Sequence, residues 1–300
     1  MTTLKRDLQT RILHTLMTIS NLKNKRVIKQ YIKQYNYTME NFDCTFVLNL
    51  ERRTDRMERV QDILHHLNIP FERYIATDSD VIAGLHKNLL RLKPDSTMSR
   101  PGYLACLLSH LSMFKTALDR GYKSILVLED DVFIHKDVKQ WTQTIMSQVP
   151  DNWDMIYFGY LPLSDDLQFW SHDHFALLKE GGNVFRSKGL WCTHAYAIKA
   201  DFMRETLQHF NTASVDLWTE IDRYFVMQQE KHFNEQYEQY EKNVNENENE
   251  DGRIRRKIYA CTPSVYGQVA SHSDLSNGFF TLENEKKFIN SNLTPRSDFL

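Results

Sequence analysis

The chain of 300 residues carries almost no net charge, no long apolar run and no closely spaced cysteines. Its 37 Lys and Arg against 39 Asp and Glu leave a formal charge of −2, which excludes a general nucleic-acid binder working through a strongly basic surface. No uninterrupted apolar stretch approaches the roughly 20 residues that a membrane-spanning helix needs, and the N-terminus lacks a hydrophobic signal core with a small-residue cleavage site. A cytoplasmic location is therefore expected. The formal sequons Asn36-Tyr37-Thr38 and Asn292-Leu293-Thr294 acquire meaning only in a secretory lumen. Cys44, Cys106, Cys192 and Cys261 form no CxxC pair, and each sits in an apolar neighbourhood, so free thiols in a reducing compartment are expected. Internal repeats, GxGxxG, a Walker A loop and HExxH are absent.

What remains is an ordinary globular composition, 41% hydrophobic, 12% aromatic and 25% charged, long enough for a sizeable core. Residues 1–40 place Leu4, Leu8, Ile12, Leu16 and Ile19 at near-helical spacing among many Lys and Arg. They read as a basic amphipathic arm, which either packs on the following domain or makes peripheral contact with an anionic membrane. From residue 41 to 300 the pattern alternates. A β-rich run at 44–50 precedes helical spacing at Met57, Val60, Leu64 and Leu67, with Asn68 as a stop and a second strand at 71–76. Pro101 opens another helix that Gly121 closes, and a buried strand follows at 124–128. Later strands are expected at 155–158, 195–198 and 258–261, with a helix at 202–210. Strand, helix, strand is the unit of a parallel sheet, so the expected class is α/β with a mostly parallel central sheet flanked by helices. Residues 228–252, rich in Glu, Gln and Asn, read as a low-complexity insertion, helical as far as about 244 and a loop beyond.

The chemistry concentrates at Glu129-Asp130-Asp131, directly after the strand at 124–128. Three adjacent carboxylates raise one another's pKa unless a cation offsets them, and hard oxygen ligands suit Mn²⁺ or Mg²⁺. Side chains alternate along an extended segment, so Glu129 and Asp131 are expected to share a face, with Asp130 turned away. A turn in which Asp130 and Asp131 cap the next element is the open alternative. Arg53 and Arg56, after the first strand, suit a diphosphate or uridine, or else pair with Asp55 and Glu58. Ser109 and His110 are neighbours on one helix and cannot face each other as nucleophile and base.

Three ordered runs resemble signatures of glycosyltransferase family 25. They are Val47-Leu48-Asn49-Leu50 with Arg53, Asp55 and Arg56; Gly102 to Leu108-Ser109-His110; and Leu126-Val127-Leu128-Glu129-Asp130-Asp131. Ala195 to Ile198, Ile221-Asp222-Arg223-Tyr224, and Thr262-Pro263 through Gln268 to Asp274 are similar to later pieces of the family. The resemblance implies a GT-A-like fold and an inverting, metal-dependent transfer of a hexose. Galactose is the first expectation and glucose the next, carried from a UDP-sugar to a hydroxyl of a glycan or a hydroxylysine-type protein acceptor.

By the same resemblance Glu129 and Asp131 would bridge Mn²⁺ or Mg²⁺ to the donor diphosphate, with His272 completing the shell. Asn49, Arg53, Arg56, Asp78, Ser109, His110 and Asp130 would lie on the donor side. Asp222 would be the general base, with Glu220 its competitor. Thr77-Asp78-Ser79 stands where the family often has an Asp-Gly turn. A metal-dependent nuclease or phosphoryl-transfer enzyme and an inactive sugar-binding scaffold are the other function classes that clustered carboxylates allow.

Overall fold

The computed structural model describes residues 41–83, 98, 100–162, 177–187, 189–214, 217–229, 256–268, 272–273, 278–279 and 298–300. The basic arm and nearly all of the insertion at 228–252 lie outside the described residues. Strand β1 (Cys44–Asn49) pairs in parallel with β2 (Glu72–Ile75) on one side and β3 (Ser124–Glu129) on the other. Helix α1 (Thr54–His66) makes the first crossover, burying Met57, Val60 and Leu64, and Asn68 ends it at φ 51, a left-handed conformation that Asn tolerates. Helix α2 (Pro101–Asp119) starts on proline, whose missing N–H costs nothing in the first turn, and stops at Gly121, where φ is +76.

Among the described residues the main sheet has seven strands, ordered β2-β1-β3-β7-β5-β8-β6. Strand β7 (Leu190–Lys199) runs antiparallel between β3 and β5 (Met155–Pro162); β8 (Ile258–Cys261) is parallel to β5, and β6 (Val184–Arg186) antiparallel to β8. Only β7 and β6 therefore run against the common direction, and the sheet is mostly parallel, as expected. Alternation along the strands divides the core into two layers. Phe46, Val127 and Tyr196 face α2, α4 (Ala200–Thr212) and α5 (Ile221–Gln228), while Val47, Leu126 and Ile156 face α1 and α3 (Val138–Met146). Helices thus cover both faces, which a parallel sheet requires.

A small ribbon pairs β4 (Val132–Ile134) with β9 (Tyr266–Gln268), and β10 (His272–Ser273) pairs with β11 (Gly278–Phe279). At the start of the insertion the structure describes Gln228 and Gln229. Gln229 is buried, and its side chain takes bonds from Ser187 Oγ at 2.7 Å and Leu190 N at 2.8 Å while donating to Leu190 O at 2.8 Å. Its amide thus satisfies both the N–H and the carbonyl of Leu190, the first residue of β7. Among the described residues no helix is long and apolar enough to cross a membrane.

Candidate active site

A cleft of about 250 Å³ opens at the carboxyl ends of β1, β2 and β3, where open α/β sheets bind ligands. The first turns of α2 and α5, the start of β7 and the end of β9 complete its rim. Glu129, Asp130, Asp131, Glu220, Asp222 and Arg56 all border it. The expected alternation fails beyond Glu129: β3 ends there, Asp130 and Asp131 form a turn into β4, and Asp130 borders the cleft with its neighbours. A turn frees successive side chains from the two-residue period of a strand. Arg59 pins this turn, donating from Nη2 to the carbonyls of Asp130 at 3.0 Å and Val132 at 2.7 Å.

The three carboxylates differ in their partners. Asp130 accepts from Asn49 Nδ2 at 2.6 Å and Arg56 Nη1 at 2.9 Å, and burial nevertheless leaves its pKa raised. Glu129 accepts from Thr193 Oγ1 at 2.6 Å and lies 3.5 Å from His110 Nε2. Burial works to raise its pKa, but the contacts with His110 and Thr193 hold it below the ordinary carboxylate range. Asp131 accepts from Gln268 Nε2 at 3.1 Å through Oδ2, whereas its Oδ1 is buried with no hydrogen-bond partner. Burial, together with the charges of Glu129 and Asp130, pushes its pKa up to about 7.

That donor set fits a hard divalent cation: two carboxylates at one cleft, one with an unsatisfied buried oxygen and a proton affinity a cation would relieve. Among the described residues no three His, Cys, Asp or Glu groups are placed to hold a metal by themselves. Two protein carboxylates would leave the other positions to phosphate and water, the usual arrangement for Mg²⁺.

Asp222 sits in the first turn of α5, where Glu220 is the residue before the helix. Burial above all, with Glu220 and Glu129 adding, pushes the Asp222 pKa up to about 6, against the donation from Arg223 N–H at 2.8 Å. Glu220 accepts from Thr219 Oγ1 at 2.8 Å.

The other sequence candidates divide. Arg56 borders the cleft, but the Arg53 guanidinium forks onto Asp55 at 3.0 and 2.9 Å and does not. Asp78 pairs with Arg52 at 2.9 Å, and its neighbours Thr77 and Ser79 line the cleft in its place. Asn49 supports Asp130 from below the surface. Ser109 borders the cleft, donating to Ala105 O at 2.7 Å and accepting from Thr77 N at 2.8 Å. His110 is wholly buried and does not border it. His272 lies on β10, and its side chain lies outside the described residues. Sequence reasoning missed Thr193, whose position follows only from β7 lying beside β3, and Gln268, named as part of a motif without a role.

The family model described as Glycosyltransferase family 25 (LPS biosynthesis protein) matches residues 42–225, more than half of the chain. Procollagen galactosyltransferase 1 of Danio rerio is 35% identical over 130 residues, covering 39% of this chain and 21% of that protein. Procollagen galactosyltransferase 2 of Homo sapiens is 32% identical over 129 residues, with the same coverage of 39% and 21%. Inactive glycosyltransferase 25 family member 3 of Homo sapiens is 28% identical over 207 residues, 65% of this chain and 33% of that protein. The chain thus spans a fifth to a third of the length of these relatives. The match begins just before β1, takes in the carboxylates of the β3 turn and ends on the helix that carries Asp222, so the cleft falls almost wholly within it: the chain belongs to glycosyltransferase family 25.

Proposed function

We propose that this protein is a metal-dependent, inverting glycosyltransferase of the GT-A type that moves galactose from UDP-galactose to a hydroxyl of a glycan or a hydroxylysine-type protein acceptor. The observation that carries the reading is the convergence of Glu129, Asp131 and Asp222 on one cleft, with Asp131 Oδ1 buried and unsatisfied. Glu129 and Asp131 would hold Mn²⁺ or Mg²⁺, which when bound offsets the charge that develops on the departing UDP. Arg56, already beside Asp130 and 3.9 Å from Asp131, would donate to the diphosphate.

Asp222 would take the acceptor proton. As the acceptor oxygen bonds to the anomeric carbon, the bond from that carbon to the phosphate oxygen breaks, and its electron pair leaves with UDP. One displacement inverts the configuration. A carboxylate with a pKa of about 6 is still ionised at neutral pH yet more basic than an ordinary one, which suits this task. The procollagen galactosyltransferases among the relatives support galactose and a protein acceptor.

The test is UDP release from UDP-galactose and UDP-glucose with Mn²⁺ and hydroxylysine-containing peptides. Asp131→Asn is expected to lower turnover by roughly 10²-fold or more while the protein still melts cooperatively. Full turnover in excess EDTA would reject the metal role. The inactive human relative favours one second reading, a protein that binds a UDP-sugar without transferring it. UDP binding without turnover on any acceptor would identify that case.

A further inference from the structure

The imidazole of His110 on α2 is wholly buried, away from the cleft wall. Phe114 and Tyr196 flank it, with ring centroids at 6.3 and 5.8 Å. Its Nδ1 stands 2.7 Å from the Tyr196 hydroxyl. Its Nε2 has no hydrogen-bond partner and faces Glu129 Oε1 at 3.5 Å, just beyond good bonding distance. A buried ring nitrogen without a partner is costly, so this geometry needs a reason. If Tyr196 O–H donates to Nδ1, the ring proton sits on Nε2 and is aimed at the carboxylate. Thr193 and His110 both address Oε1, which leaves Oε2 for the cleft.

We propose that His110, held by Tyr196, is a positioning residue that orients the Glu129 carboxylate for the divalent cation and the donor diphosphate without touching the donor. This inference rests on the reading of the cleft given above. Contacts of this kind are often long before a ligand arrives and tighten when the site is loaded. Removing a group that orients a metal-binding side chain costs about 10- to 100-fold in metal affinity or activity.

The experiment is calorimetric titration of UDP into the full chain with and without Mn²⁺, alongside turnover and thermal melting. His110→Phe is expected to weaken the Mn²⁺-dependent UDP affinity by about 10- to 100-fold and leave the metal-free affinity unchanged. Tyr196→Phe, which loses one hydroxyl and keeps the ring, is expected to move the same quantity in the same direction by less. If His110→Phe fails to fold, Tyr196→Phe decides. Parental Mn²⁺-dependent affinity in a folded variant, with only a lower melting temperature, overturns the proposal, since a purely packing role predicts that result. If the parent protein itself ignores UDP in Mn²⁺, the reading of the cleft falls and this inference falls with it.

Discussion

The two halves of the central sheet are alike at their amino ends and different at their carboxyl ends. At the amino ends each half carries an arginine–carboxylate contact: Arg120, ahead of β3, forks onto Glu72, the first residue of β2, at 2.7 and 2.9 Å, and Arg256 reaches Asp154 at 3.4 Å before β5 and β8. At the carboxyl ends β1, β2 and β3 gather charge, with Asn49 and Arg56 bonded to Asp130 of the β3 turn and Arg73 donating to the Asn49 side-chain oxygen. Among the described residues, the corresponding region of β5 and β8 presents neutral polar groups. Ser264 Oγ bonds the Phe158 and Tyr266 carbonyls at 2.9 and 2.8 Å, and burial drives the His194 pKa down to about 4, so its ring is uncharged at neutral pH. Concentrated charge needs an ionic ligand to offset it, whereas neutral bonded groups make a rigid wall. On the reading proposed above, donor handling would belong to the first half, and the second would contribute framework together with the carboxylates of Glu220 and Asp222 at the start of α5.

The strongest challenge to that division is Asp222→Asn, which keeps the shape and removes the basicity. Transfer is expected to fall by roughly 10²-fold or more, with Mn²⁺-dependent UDP affinity unchanged. Equal losses in rate and donor affinity, measured by turnover and calorimetry, would put Asp222 on the donor side and end the division.

Gly159→Ala probes the neutral half. A β-carbon there would run into the His194 ring and come within 2.7 Å of the Tyr266 carbonyl. The expected cost is about 1–3 kcal/mol, seen as a drop of several degrees in melting temperature. The donor affinity of the folded fraction should stay at the parent value. A loss of UDP affinity would show that the framework and the charged end are coupled.

The smallest expected effect concerns pH. The pKa of Asp222 is raised to about 6 in the folded protein, above the ordinary value near 4, so the folded state binds more protons in between. Its contribution to stability is therefore favourable below about 4 and lost as pH rises to about 6. Asp222→Asn should match the parent in melting temperature near pH 4, gain on it up to about pH 6, and hold that gap above. Turnover of the parent should decline as pH falls through about 6. A gap that does not change with pH would place the carboxylate in water.

The first half was the more legible one. Elements β1, α1, β2, α2 and β3 lie where apolar spacing and the signals Asn68, Pro101 and Gly121 put them, because each is long enough to show its period. The three-residue strands β4, β6 and β9 escaped notice, being too short to show a period. Choosing between Arg53 and Arg56 was likewise beyond the sequence. The two lie three positions apart, and only the start of α1 and the position of Asp55 turn one away from the cleft and the other toward it.

By itself the sequence determined that this is an α/β chain with a carboxylate cluster at the end of a buried strand, since local spacing and residue chemistry act over a few positions. The tertiary structure decided what those carboxylates meet. Thr193, Gln268 and Asp222 come to Glu129 and Asp131 from 64 to 137 positions away, or through burial in a shared cleft, and Tyr196 comes to His110 from 86 away. Such meetings follow from strand order and from which face of the sheet each helix covers, and those are settled only when the whole core packs.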